Sequence, residues 1–404
     1  MKSVNFILVI VMIVITAEIT AQQAVNNDLI TVDVRKTYPQ KKELILQDFM
    51  DVEYIPLETT DKFIHQGFVQ DIGKKIIIVT NYSVKNGDIF IYSRTGKAIR
   101  KINRKGQGGE EYTDFFSITL DENNNEMFVN DTNKKIILVY DLNGKFIRSF
   151  KHIENTKDTY WTEIFNYDKD NLICYDHFNE KNRAFVIVSK KDGSVTNQIK
   201  IPYKESIEIT HTSEPKRVPS VDPVTGQNKV TVTQTSTTPS AYRTIIPFKE
   251  DWTLLELWSD TIYTLLQNYK LNPRIVRTPS INSMTPKVFL LLGLCTDRYF
   301  FMETMKNEYD SKAGTQFPRI SFMYDRHEKA FFSYVVYNGD YLFKKEMYMS
   351  FMPIGQEIES CQSLGAHWLV DFYKKGQLKG KLKEIASKLD EEDNAVIMLM
   401  KHKK

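Results

Sequence analysis

Short apolar runs separated by polar turns set the grain of this chain, and they recur at a fixed interval. Ile89-Phe90-Ile91-Tyr92-Ser93-Arg94-Thr95-Gly96-Lys97 returns as Ile137-Leu138-Val139-Tyr140-Asp141-Leu142-Asn143-Gly144-Lys145, with Tyr92 and Tyr140 48 residues apart. An interval of this size is the length of one four-stranded unit in a stack of such units. The second copy reads most cleanly. Ser117–Asp121, Met127–Val129, Ile136–Tyr140 and Phe146–Phe150 are its strands, and Asn143-Gly144 supplies the positive φ angles of a tight hairpin.

The first copy matches piece by piece, with strands at 69–71, 76–79, 89–92 and 98–102. A third is diluted but visible at 164–166, 172–175 and 185–188, and its turn glycine, Gly193, follows Gly144 by 49 residues. Apolar runs with little alternation suit strands covered on both faces by neighbouring units. Each unit is then one blade of a β-propeller.

From 202 to 247 the pattern gives way to Ser, Thr and Pro-rich sequence. It reads as an excursion from the propeller, a protruding hairpin or an unstructured linker. Strands resume at 252–257 and 260–265 and continue through 288–292, 299–302, 319–324, 330–336 and 368–372, enough for two or three more blades. A helix is predicted over Leu378–Leu389 from the spacing of Leu378, Leu382, Ile385 and Leu389, and a closing strand over Ala395–Met400. Ring closure requires the early strands, 29–32 and 52–57, to pair with that carboxy-terminal blade.

The amino terminus has its own pattern. Lys2, the apolar run Phe6–Ile15 and the small residue Ala21 lay out a secretory signal peptide over residues 1–21, too short in its core to span a bilayer. Residues 22–404 then form a single propeller domain, exported to the periplasm or the outside, with no membrane span after cleavage. The 54 basic and 51 acidic residues are intermingled and give a net charge of +3, which excludes the clustered basic face of a nucleic-acid binder.

Three cysteines, Cys174, Cys295 and Cys361, allow at most one disulfide, and two of them lie in apolar runs as core thiols do. The seven histidines form no zinc-binding spacing, and no nucleophile elbow occurs. Neither a metal nor another cofactor is implied. A propeller nevertheless brings distant residues to one axial face, so the missing linear motif leaves catalysis open.

The segment Arg100-Lys101-Ile102-Asn103-Arg104-Lys105-Gly106-Gln107-Gly108-Gly109-Glu110-Glu111-Tyr112 resembles the blade junction of a six-bladed β-propeller family of unknown function from Gram-negative bacteria, related to NHL-repeat propellers. Tyr54-Ile55-Pro56-Leu57-Glu58-Thr59, Ser259-Asp260-Thr261-Ile262-Tyr263 and the stretch from Gly380 to Asn394 are similar to the same family. The resemblance implies an all-β fold of six four-stranded antiparallel blades with a short carboxy-terminal helix, export, and no established activity. The family junction reads Gly-x-Gly-Pro-Gly-Glu-Tyr; here Gly109 stands for the proline and Glu110 for the next glycine.

That junction is the first candidate binding surface. Its glycines permit close backbone approach, and Arg104, Lys105, Gln107, Glu110 and Tyr112 supply donors, acceptors and an aromatic face. The same residues also suit a plain structural turn. Asp131 and Asn133 reach the propeller face or hydrogen-bond their own turn. Two functions remain open: a non-enzymatic propeller binding a glycan, peptide or envelope protein on one axial face, with the junction and the 202–247 excursion contributing, or a carbohydrate hydrolase or lyase using Asp71, Asp121 and Asp131 in the central pocket.

Overall fold

The computed structural model describes residues 29–403 apart from 153–160, 178–183, 213–215, 222–227, 234–235, 240–241, 311–314, 350–353 and 356–357. The expected signal peptide lies outside the described residues.

Six sheets form the six blades of a propeller. Blade 1 is Phe68–Ile72, Ile76–Thr80, Asp88–Ser93 and Ala98–Asn103; blade 2 is Ser117–Asp121, Glu126–Asp131, Ile136–Asp141 and Phe146–Lys151. Blade 3 runs from Glu163–Asn166 to Val195–Ile199, blade 4 from Ile245–Phe248 to Leu271–Thr278, and blade 5 from Val288–Cys295 to Ala330–Tyr337. Each of these five has a four-stranded antiparallel core, and the sheet of blade 6 has three strands among the described residues.

Blade 6 closes the ring. Val396–His402 lies between Ile358–Leu364 and Met50–Pro56, so the chain's two ends share one sheet in the pairing that closure demands. The amino-terminal segment does more than complete this blade. Ile30–Asp33 adds in parallel to the outer strand of blade 4, and Lys41–Ile45 adds in parallel to that of blade 5, before Met50–Pro56 joins blade 6. Three outer edges are covered in turn by one strap of chain.

The unbroken apolar runs have a direct explanation. Side chains alternate across a strand, and in blade 1 Ile77 and Val79 pack against Ile397 and Leu399 of blade 6, while Ile76 and Ile78 pack against Ile118 and Leu120 of blade 2. Blade 2 repeats the arrangement, with Phe128, Ile137 and Val139 against Leu172, Cys174 and Val188 of blade 3. All three cysteines are free thiols.

The glycine period also has a packing cause. Gly96, Gly144 and Gly193 all have positive φ, and each hairpin turn lies against the outer strand of the preceding blade. A Cβ at Gly96 would stand 2.0 Å from the Pro56 carbonyl oxygen; at Gly144, 2.8 Å from Ile102; at Gly193, 2.4 Å from Phe150.

Within the excursion, Lys216–Val221 and Asn228–Thr233 pair as an antiparallel hairpin, above a shorter pairing of His211-Thr212 with Ser236-Thr237. The expected strand at 368–372 is instead part of the helix Ala366–Lys374, followed by a second helix, Gly380–Ala386, inside the span expected to be helical. Ala366, Leu369 and Val370 are buried while Trp368 is 58% exposed, which is helical spacing rather than alternation. A short apolar run does not distinguish the two. Among the described residues no helix is long and apolar enough to cross a membrane.

Candidate functional site: an axial cavity

The inner strand of a propeller blade has one edge with no strand beside it, and its amides and carbonyls need other partners. Here the preceding blade supplies them. A register shift between Val69 and Asp71 leaves Gln70 as an extra residue in the first strand of blade 1. Such a bulge re-aims side chains, and both neighbours reach the same side: Gln70 Oε1 accepts the Ile118 amide at 3.1 Å and Asp71 Oδ2 the Leu120 amide at 2.7 Å. Thr119 Oγ1 then donates to the Ile164 carbonyl at 3.0 Å, and the carboxylate of Glu163 accepts the amides of Thr244 and Ile245 at 2.9 and 3.0 Å.

These inner strands, with residues 209–210 and 238–239 at the base of the excursion, enclose a cavity of about 660 Å³. Its volume falls in the range of small-molecule sites. Three aromatic side chains stand exposed in its lining: Phe68 at 41%, Tyr82 at 66% and Phe116 at 57%, with the Phe68 and Tyr82 rings 5.3 Å apart. Exposed aromatics gathered round a cavity are a recognition feature, since isolated globular surfaces rarely concentrate them.

Apart from its tyrosines, the ionisable groups of the cavity are Asp71, Glu163, His177 and Arg243. Burial pushes the Asp71 carboxyl up to about 6, against the opposing pull of the Leu120 and Ile72 amides. Glu163 is also buried, which by itself would raise it. The contact of Oε1 with His177 Nε2, the nearby Arg243 and the Thr244 amide outweigh burial and hold it below the ordinary carboxylate range. Arg243 lies over the Phe165 ring at 5.4 Å, and its Nε is buried with no hydrogen-bond acceptor among the described residues.

Of the three carboxylates expected in the central pocket, only Asp71 lines it. Asp121 pairs with Lys190 Nζ at 2.6 Å, and Asp131 accepts the Thr113 and Lys134 amides at 2.7 and 2.9 Å. Both are buried parts of the blade framework. Glu163 was legible in one respect: it is the one charged residue within Trp161–Phe165. Its meeting with His177 follows from one hairpin of blade 3, and that with Arg243 from the tertiary fold.

The junction forms a place of its own. Arg104, Glu110 and Glu111 line a second cavity of about 430 Å³ with Gly108, Gly109, Lys145 and Phe146. Tyr112 is buried beneath, where its hydroxyl donates to the Gly87 carbonyl at 2.6 Å and accepts the Arg104 amide at 2.8 Å. Arg104 Nε donates to the Gly144 carbonyl at 2.8 Å, and Lys105 Nζ to the Lys85 carbonyl. Lys105, Gln107 and Asn133 are exposed and line neither cavity. None of the seven residues singled out from the junction and the following turn lines the axial cavity.

The sequence matches a family described as "Domain of unknown function (DUF4934)" over residues 29–401. Among solved structures, a Bacteroides fragilis protein whose name records inferred export is similar at 14% identity and a TM-score of 0.51, covering 93% of this chain and 99% of its own. A member of the DUF4221 family from Bacteroides vulgatus is similar at 9% identity and a TM-score of 0.38, covering 88% and 98%. No curated protein matches the chain.

Proposed function

Because the chain belongs to the DUF4934 family, whose function is unknown, we propose its function from the axial cavity: an exported propeller that binds a glycan, peptide or protein partner on this face and performs no chemistry on it. The observation that carries the reading is the cavity's division of labour. Exposed Phe68, Tyr82 and Phe116 are available to a ligand, while both oxygens of Asp71 and both of Glu163 already accept main-chain amides. Those bonds tie the two acids to holding the main chain of the inner strands. Export is supported by the name of the Bacteroides fragilis protein of similar fold.

The test is calorimetric titration of the protein against glycans, peptides and envelope proteins, with Phe116→Ala and Tyr82→Ala in parallel. One ligand class binds, and each rim variant weakens it by about tenfold, the scale of one aromatic contact. A silent panel, or binding indifferent to both variants, removes the proposal.

A second reading, cleavage of a bound carbohydrate, draws on two acids lining one cavity, Asp71 with its carboxyl raised and Glu163 with its carboxyl lowered. Acids pushed apart in this way are the pattern of glycoside cleavage where they also converge on the sugar. Release of new sugar ends by the native protein, lost in Asp71→Asn, would favour it over simple binding.

A further inference from the structure

We propose that Arg243 receives the carboxylate of an acidic sugar ring, so that the ligand of the axial cavity is a uronate-bearing glycan. This rests on the reading of the cavity as a binding site and names the ligand class. Arginine presents five donors in a planar fork that fits a carboxylate with two parallel hydrogen bonds. Arg243 lines the cavity over the face of Phe165 and near Glu163, whose charge it favours, and its Nε is buried and lacks an acceptor among the described residues. A buried donor without a partner is costly, and the charge-assisted bond of a guanidinium to a carboxylate is stronger than its bond to a neutral hydroxyl or ester oxygen.

The cavity's own acids oppose an anion, but each is already occupied. Asp71 accepts the Ile72 and Leu120 amides, and Glu163 accepts those of Thr244 and Ile245 and contacts His177. The same hydrogen bonds argue for a sugar over a peptide. An extended peptide is read by adding a strand to an open edge, and the inner-strand groups at Ile118, Leu120, Ile164, Thr244 and Ile245 are capped by side chains. A cavity lined by exposed aromatic planes and a guanidinium suits a ring with one apolar face and one acid group.

The experiment titrates the protein with oligogalacturonate, with its methyl-esterified form, and with an acidic peptide. The acid form should bind at least about tenfold more tightly than the ester, the scale of a charge-assisted hydrogen bond. Arg243→Gln should remove that preference and Arg243→Lys should restore part of it, while Phe116→Ala weakens acid and ester alike. Melting curves of both Arg243 variants check that they fold. Equal affinity for acid and ester, or a preference that survives Arg243→Gln, overturns the proposal and leaves the cavity as a binding site. Binding of the peptide alone, dependent on Arg243, overturns it in favour of a peptide ligand. Binding of none of the three, with other glycans also silent, overturns both readings.

Discussion

Asp71 and Leu120, 49 residues apart in sequence, meet through a hydrogen bond of 2.7 Å that joins the inner strand of one blade to that of the next. The bond places a carboxyl group in a buried setting that resists its charge, and this has a measurable consequence.

The Asp71 carboxyl carbon should titrate near pH 6 in the folded protein, against an ordinary value of 3.8. The folded value is raised, so Asp71's contribution to stability is fully present below about pH 4 and is lost as pH rises through about 6. Carbon-detected NMR of the side chain measures the midpoint, and a midpoint at or below 4 would contradict the burial described here.

Glycines of positive φ differ in what surrounds them. Gly96→Ala combines a positive φ with a Cβ 2.0 Å from the Pro56 carbonyl and should cost on the order of 3 kcal/mol. Gly376→Ala shares the positive φ but meets nothing within 4 Å, so about 1 kcal/mol of backbone strain is expected. Denaturant melts of the two variants test the contrast; equal losses would mean that the turn does not press on its neighbour.

Tyr112→Phe removes a buried donor to Gly87 and an acceptor for the Arg104 amide, with no change of shape. A loss of about 1–3 kcal/mol is expected, with ligand affinity at the axial cavity unchanged. Lost affinity without lost stability would instead return Tyr112 to the role of a ligand contact.

Truncations separate closure from covering. Deleting 395–404 takes out the middle strand of blade 6 and should abolish cooperative unfolding, whereas deleting 29–45 removes only added edge strands and should lower the melting temperature while keeping one transition. An unchanged melt after the carboxy-terminal deletion would sink the account of closure.

The blades were legible because their signals are local. Asn143-Gly144 turns a hairpin, Ile76–Val79 is apolar on both faces, and Gly96, Gly144 and Gly193 keep time along the chain. The Trp368–Phe372 run misled because four apolar residues in five fit a buried strand as well as a helix, and burial of Leu369 and Val370 beside exposed Trp368 decides it only in three dimensions. The cavity was hidden for a related reason. Asp71, Arg243 and the Glu163–His177 pair carried by one hairpin of blade 3 come from separate blades or their connections, and no spacing in sequence marks groups that meet only when a ring is assembled. The junction drew notice through its glycines, which serve a tightly bonded turn and a separate small cavity.

The strap across blades 4 to 6 also sets an order of events during synthesis. Glu53 and Lys401 form an ion pair at 2.8 Å across 348 residues of chain. Blades 1 to 3 can each pair as soon as their own strands have been made, but the strands within residues 30–56 find their strand partners among residues 271–402. Contacts of such long range form late, so strands made before blade 1 are sheltered only after blade 3 is complete. A nascent chain carries each of them without its strand partner until residues 271–402 follow, which makes that segment the natural place for a chaperone to hold or a protease to cut.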